Sequence, residues 1–373
     1  MKKNVLHIIY QTNIIWWVEN FLSTLLSFSK NEDILVQVYD KENKTWIKNK
    51  IINLSEKIHS YNPIILLYQT FSRALKYKRI SNTEKIDISV SHWDSLNLSN
   101  ILSKILFWNK SKVYIFLHNS LSFYTNKWSF VYKYLFNFFY PKADKVITIS
   151  KEMGDELKEK WYTNIETLYN PIDFEKIEVL KTEKLWEYKS LYDKKTFIIV
   201  SRLEKVKNID FLIDSFIEFN KTNENFNLII VWTWSEENNL IKKAKDISNI
   251  HFIWFQKNFY KFLYNSDYFL FWSNNEWFWR ALIESLSCNT PILTHDFKYW
   301  AKEIIRNNND FSKCINMEIH ENWILIPYLN KKLFISGMEK LSKISFDKKI
   351  IRNNIETYNL ETQNKKWELI LNK

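Results

Sequence analysis

Glycine is nearly missing from this chain: there are 2 in 373 residues, where ordinary usage of ~7% would place about 26. Tight turns that need a left-handed backbone must then use residues that resist it, since only glycine takes positive φ without a Cβ clash. Proline is scarce at 5, and the only cysteines are Cys288 and Cys314. Two cysteines build no disulfide framework and fit a reducing compartment. No apolar run reaches the ~18 residues of a membrane span, and the run after Met1-Lys2-Lys3 is too short for a secretory signal. The expectation is a cytoplasmic chain. The 7 histidines are scattered, with no His/Cys group at zinc-ligand spacing.

Against these absences stand 17 tryptophans in a chain rich in Lys, Asn, Ile, Phe and Tyr. An A+T-rich gene yields that background and depletes glycine, whose standard codons are G-rich. It cannot enrich tryptophan through UGG, but it can enrich UGA. Most of these tryptophans are therefore expected to be UGA codons that the natural host reads as glycine. Their positions agree: Trp16-Trp17, Trp232 and Trp234, and Trp277 and Trp279 all fall in strand-to-helix turns, where bulky residues are awkward. A tryptophan-rich aromatic surface is the plain alternative.

A length of 373 residues exceeds one ordinary core, so two domains are expected. Hydrophobic content of 46% and charged content of 25% suit a soluble globular chain. The net charge of +11 points to an anionic partner, whether nucleic acid, an acidic membrane surface or a phosphorylated substrate, unless it is only a solvated Lys-rich surface.

Apolar runs of strand length at 5–9, 34–39, 86–91 and 113–117 alternate with helical segments. That alternation implies α/β architecture with parallel doubly wound sheets, whose ligands sit beyond the strand carboxyl ends. His92 and His118 each follow such a strand; His118 reads as functional and His92 as structural. Residues 132–140 form an aromatic amphipathic segment, read as core packing, with contact to a lipid acceptor or membrane as the other reading. Ser150 is placed as a helix N-cap. The charged stretch 175–195 reads as a linker, and 196–202 opens a second strand–loop–helix series. This gives domains at 1–174 and 196–350, with a helix at 351–373 packing back on the first.

The second series carries the chemistry. Ser201-Arg202-Leu203-Glu204-Lys205-Val206-Lys207-Asn208 sets Arg202 and Lys207 at a strand end, where a basic pair either makes charge-assisted bonds to an anion or simply faces solvent. Ser273-Asn274-Asn275-Glu276-Trp277-Phe278-Trp279 follows another strand, and Glu284 lies about two helical turns beyond Glu276. Written with glycines, Trp277-Phe278-Trp279 becomes a turn open to a ligand, as do Trp16-Trp17 and Trp232-Thr233-Trp234. Cys288 is read as a packing residue.

These segments, with Asn170-Pro171-Ile172-Asp173 and Asn322-Trp323-Ile324-Leu325-Ile326-Pro327, resemble the retaining two-domain (GT-B) glycosyltransferases of family GT4. The resemblance spans essentially the whole chain and is most specific over 202–327. It departs at Ser201, where the family has glycine. It implies two Rossmann-like domains facing across a cleft and transfer of a sugar from a UDP- or GDP-sugar to a glycan or lipid-linked acceptor. In that scheme Arg202 and Lys207 meet the diphosphate, Glu276 the donor sugar and Glu284 the ribose. His118 lies near the sugar and acceptor. Trp277, Phe278, Trp279, Trp16 and Trp17 line loops close to substrate, and the turn at Phe255 holds the base. The chain has no Asp-x-Asp pair, so no metal and no cofactor are expected. A membrane surface is a further partner, with the chain peripheral on its inner face, and nucleic acid is not expected. Two readings remain beside this one: another enzyme of the same architecture, such as a sugar-nucleotide epimerase, and a basic nucleic-acid-binding protein.

Overall fold

The computed structural model describes residues 2–11, 17–39, 49–56, 62–119, 129–235, 237–273, 280–296, 301–306, 310–320, 322–328, 330–344 and 355–373. Two compact units emerge. One comprises Met1–Pro171 with Glu361–Lys373, the other Ile172–Leu360.

In the first unit seven parallel strands run in the order β3-β2-β1-β4-β5-β6-β7. They are β1 (Asn4–Ile9), β2 (Glu32–Tyr39), β3 (Lys50–Glu56), β4 (Ile88–Ser91), β5 (Lys112–Leu117), β6 (Lys145–Thr148) and β7 (Ile165–Thr167). The central strands are buried along most of their length, as in β1 and β4, which is why they read as unbroken apolar runs rather than alternating ones. The connecting helices are α1 (Trp17–Ser27), α2 (Pro63–Thr83), α3 (Asp94–Phe107), α4 (Ser129–Phe139) and α5 (Lys151–Glu159). Ser150 caps α5 as expected, its hydroxyl accepting from the Met153 amide at 3.0 Å. The aromatic segment α4 is two-faced: Phe136 and Tyr140, which follows its end, are buried, whereas Tyr134 and Phe138 are exposed.

The second unit repeats the plan with strands in the order β10-β9-β8-β11-β12-β14-β13. These are β8 (Lys195–Leu203), β9 (Phe226–Ser235), β10 (Ile250–Ile253), β11 (Tyr268–Leu270), β12 (Ile292–His295), β13 (Glu318–His320) and β14 (Trp323–Ile326). Only β13, at the edge, is antiparallel. The helices are α6 (Phe174–Lys181), α7 (Ile209–Asn220), α8 (Glu237–Ala244), α9 (Tyr260–Asn265), α10 (Arg280–Ser287), α11 (Ala301–Arg306) and α12 (Lys331–Leu341). One core, including Phe197, Phe216, Phe219, Leu270 and Phe334, lies against the sheet. The stretch 175–195, expected as a linker, is largely folded. Asp173 caps α6, and a 3-10 segment follows at Trp186–Tyr192. The last helix, α13 (Leu360–Asn372), runs almost wholly within the first unit.

In both sheets the strand order reverses beside the first strand, at β1/β4 and at β8/β11. Loops leaving the carboxyl ends of such a pair diverge to opposite sides and open a crevice for ligand.

Candidate functional site

The two charged loops of the second unit leave the strands at its switch point. β8 ends on Arg202 and Leu203, and the next turn, a 3-10 segment at Lys205–Lys207, closes on Asn208 with φ 48°. Asparagine is the non-glycine residue that best tolerates this left-handed backbone. Arg202 is exposed, with Nη1 2.8 Å from Glu204 Oε1. Lys207 is half-buried, its Nζ 5.9 Å from the centre of the Phe271 ring just beyond β11. Burial, then the neighbouring Arg202 charge, pushes its ammonium down to about 7 against the pull of Glu204. A nearby anion would favour the charged form of such a lysine.

Helix α10 buries Leu282, Ile283 and Leu286, and that packing fixes the face on which Glu284 lies. Glu284 is itself buried; its Oε1 accepts from Tyr260 Oη at 3.1 Å and from Arg280 Nε at 3.2 Å. The Arg280–Glu284 pair is one helical turn apart, the spacing at which side chains meet. A carboxylate held by two donors keeps its direction when a ligand hydroxyl approaches. Tyr260 and Arg280 escaped sequence reading, although the i, i+4 spacing of Arg280 was a usable signal.

In the first unit His118 lies just past β5, buried, with its imidazole driven down to about 3 by burial. His92, read as structural, stacks on it at 5.6 Å between ring centres. His92 is also held well below the usual range, by burial and then by His118 and His7. His7 on β1 continues the column: its Nδ1 lies 3.5 Å from His92 Nε2, and its Nε2 bonds Asp33 at 3.1 Å. His7 went unread because a lone histidine inside an apolar strand carries no periodic signal. So did Glu19 on the first turn of α1, buried and pushed up to about 7 by that burial.

Glu276, Trp277, Phe278, Trp279 and Trp16 lie outside the described residues. Trp17 begins α1. Phe255 is exposed beyond β10, two strands away from β8. Among the described residues no group of three or more His, Cys, Asp or Glu could hold a metal ion.

Two family models match: glycosyl transferases group 1 over residues 181–357 and glycosyltransferase family 4 over residues 41–176. An uncharacterised glycosyltransferase of Methanocaldococcus jannaschii is 29% identical over 339 residues, 86% of this chain and 80% of its own length. The N-acetylgalactosamine-N,N'-diacetylbacillosaminyl-diphospho-undecaprenol 4-alpha-N-acetylgalactosaminyltransferase of Campylobacter jejuni is 29% identical over 269 residues, 69% of this chain and 71% of its own. Among solved structures, the lipopolysaccharide outer core galactosyltransferase WaaB has a TM-score of 0.76 at 16% identity, covering 100% of this chain and 99% of that one. HepE of Anabaena in complex with UDP has a TM-score of 0.76 at 16% identity, covering 100% of both chains. These matches favour sugar transfer over the epimerase and nucleic-acid readings. On the two family models and the shared two-domain fold, the chain is a glycosyltransferase of the GT-B, GT4 type.

Proposed function

We propose that the chain moves a sugar from a UDP- or GDP-sugar to a glycan or lipid-linked acceptor with retention, without a metal ion, in the synthesis of surface polysaccharide or glycolipid. The observation that carries this reading is the basic loop of Arg202 and Lys207 at the switch point of the second unit. It is supported by the Campylobacter relative, whose name gives a diphospho-undecaprenol acceptor, and by HepE, solved with UDP and with UDP-glucose.

In this mechanism Arg202 and Lys207 neutralise the leaving diphosphate. Glu284 holds the ribose hydroxyls and Glu276 the donor sugar, with His118 beside the acceptor. The anomeric C–O bond to the diphosphate breaks as the acceptor oxygen bonds to the same face. Its proton passes to a phosphate oxygen of the leaving group. The exposed apolar side chains on the first turns of α2 (Ile64, Ile65, Leu67, Tyr68 and Phe71) support a membrane surface as the place where a lipid-linked acceptor is met. No helix among the described residues is long and apolar enough to cross a membrane.

We also propose that most of the tryptophans stand for glycine. Seven described non-glycine residues have positive φ, and three of them are Trp108, Trp161 and Trp186, at 52°, 67° and 48°. All three rings face solvent, 78%, 90% and 71% exposed, so little packing offsets the backbone cost, even with the Lys184 ammonium 5.3 Å from the Trp186 ring centre. Trp108 occupies the left-handed C-cap of α3, the kind of position that glycine takes by preference.

A thermal-shift panel of UDP-, GDP- and ADP-sugars on the glycine form tests the function. Stabilisation by a UDP- or GDP-sugar is expected, and Arg202→Ala should weaken it by about 1.5–3 kcal/mol, the worth of a charged hydrogen bond. If no sugar nucleotide stabilises the chain, the reading fails.

A further inference from the structure

We propose that Ser273 and His295 are positioning residues for this transfer, holding the basic loop after β8 in register with the chain that leaves β11 at Ser273. The proposal rests on the donor reading above only in naming what those loops bind.

β11 is short, and its ladders end early. It pairs with β8 only through Tyr268 and Phe269 and with β12 only through Phe269 and Leu270. The Phe271 amide makes one more bond to β12, donating to the Leu293 carbonyl at 3.0 Å, and residues 272–273 lie past the paired residues of β11. Side chains take over there. Ser273, fully buried, donates from Oγ to the Val206 carbonyl at 3.2 Å, one residue before Lys207. Two residues upstream, the Phe271 ring lies beside the Lys207 ammonium. On the other side His295, the last residue of β12, grips the Ser273 backbone: its Nε2 is 3.3 Å from the Ser273 nitrogen and 3.1 Å from the Ser273 oxygen.

One ring nitrogen thus serves either tautomer, accepting from the amide when bare and donating to the carbonyl when protonated. Burial drives the His295 imidazole down to about 3, against the backbone hydrogen bonds at Ser273 and Asp296 that favour its charged form. The clamp is therefore neutral across ordinary pH and does not open with it. A buried imidazole among the apolar residues of β12 costs stability that a leucine would not. Both contacts of its Nε2 fall on Ser273, the residue that leads into the acidic segment. The carboxyl ends of β8, β11 and β12 are tied at one point, so a shift of either loop is felt by the other. A misplacement of ~1 Å at such a site costs about a hundredfold in rate.

The test measures UDP and GDP affinity by calorimetry, and nucleotide release from UDP-glucose and GDP-mannose, on the full chain. His295→Leu should lower turnover about 10- to 100-fold while nucleotide affinity stays within about twofold. His295→Gln, whose amide both donates and accepts, should recover most of the loss. Ser273→Ala should speed amide exchange at Lys207 and Asn208, whose N–H groups close the 3-10 turn on Glu204 and Lys205, with or without nucleotide. Unchanged turnover in His295→Leu, a glutamine variant no better than leucine, an equal loss of nucleotide affinity, or unchanged exchange in Ser273→Ala would each overturn the joint. All variants are made in the glycine form; if neither UDP nor GDP binds that form without further substitution, the donor reading fails instead, and the exchange measurement still decides whether the joint exists.

Discussion

Burial and the Arg202 charge push the Lys207 ammonium down to about 7, so the proposed contact with the donor diphosphate carries a pH prediction. A bound diphosphate raises that value toward the ordinary ~10.4 of a lysine. Affinity is then fully present below pH 7 and is lost as pH rises through the free value, by about tenfold per unit. Calorimetry with UDP between pH 6 and 9 should show this slope, and Lys207→Arg, always charged, should flatten it. The tryptophans make a second prediction at this scale. Trp108→Gly, Trp161→Gly and Trp186→Gly should each raise stability by about 1 kcal/mol, because a left-handed backbone costs an L-residue roughly 1–2 kcal/mol and these exposed rings bury little. Denaturant midpoints measure it; a loss of stability in all three would count against the glycine reading. At the residue scale sequence reading found charge and spacing but not company. Arg202, Lys207 and Glu284 were legible from their places after strands and on a helix. Tyr260, His7 and His295 were not, because what matters about them is a partner distant in sequence.

Among the elements, α2 is the one whose surface calls for an explanation. Asn62 caps it, accepting from the Ile64 amide, and Pro63 opens it. Ile64, Ile65, Leu67, Tyr68 and Phe71 then face solvent, and Arg79 is exposed further along. Exposed apolar first turns on a helix that carries a cation further along suit an anionic bilayer interface. Ile64→Glu with Tyr68→Glu should reduce co-sedimentation with vesicles containing phosphatidylglycerol at least tenfold, while UDP affinity is kept. Equal binding by the variant would remove α2 from the membrane contact. The elements themselves were legible unevenly. Central strands such as β1 and β5 announce themselves as apolar runs because both faces are covered. Edge strand β3 does not, since Lys50–Glu56 alternates half-buried and exposed residues and resembles a polar loop. The stretch 175–195 misled for a related reason: α6 buries only Phe174, Ile177 and Lys181, and its charged remainder reads as linker.

At the level of the whole molecule, two units that share their central strand order each reverse it beside their first strand, and functional candidates collect near the carboxyl ends of those strands. Alternation of strands and helices made that plan readable before any coordinates. The strand order itself was not, because parallel strands pair across long intervals that leave no local trace. The acidic centre of the account, Glu276 followed by two tryptophans that we propose stand for glycine, is tested most directly by making the chain in both alphabets. Release of UDP or GDP from sugar nucleotides should be measured side by side for the tryptophan form and the glycine form. The account predicts turnover in the glycine form and at least a tenfold lower rate in the tryptophan form, since rings at Trp277 and Trp279 would occupy space the donor needs. Equal turnover in the two forms, or none in either with any donor, would contradict it.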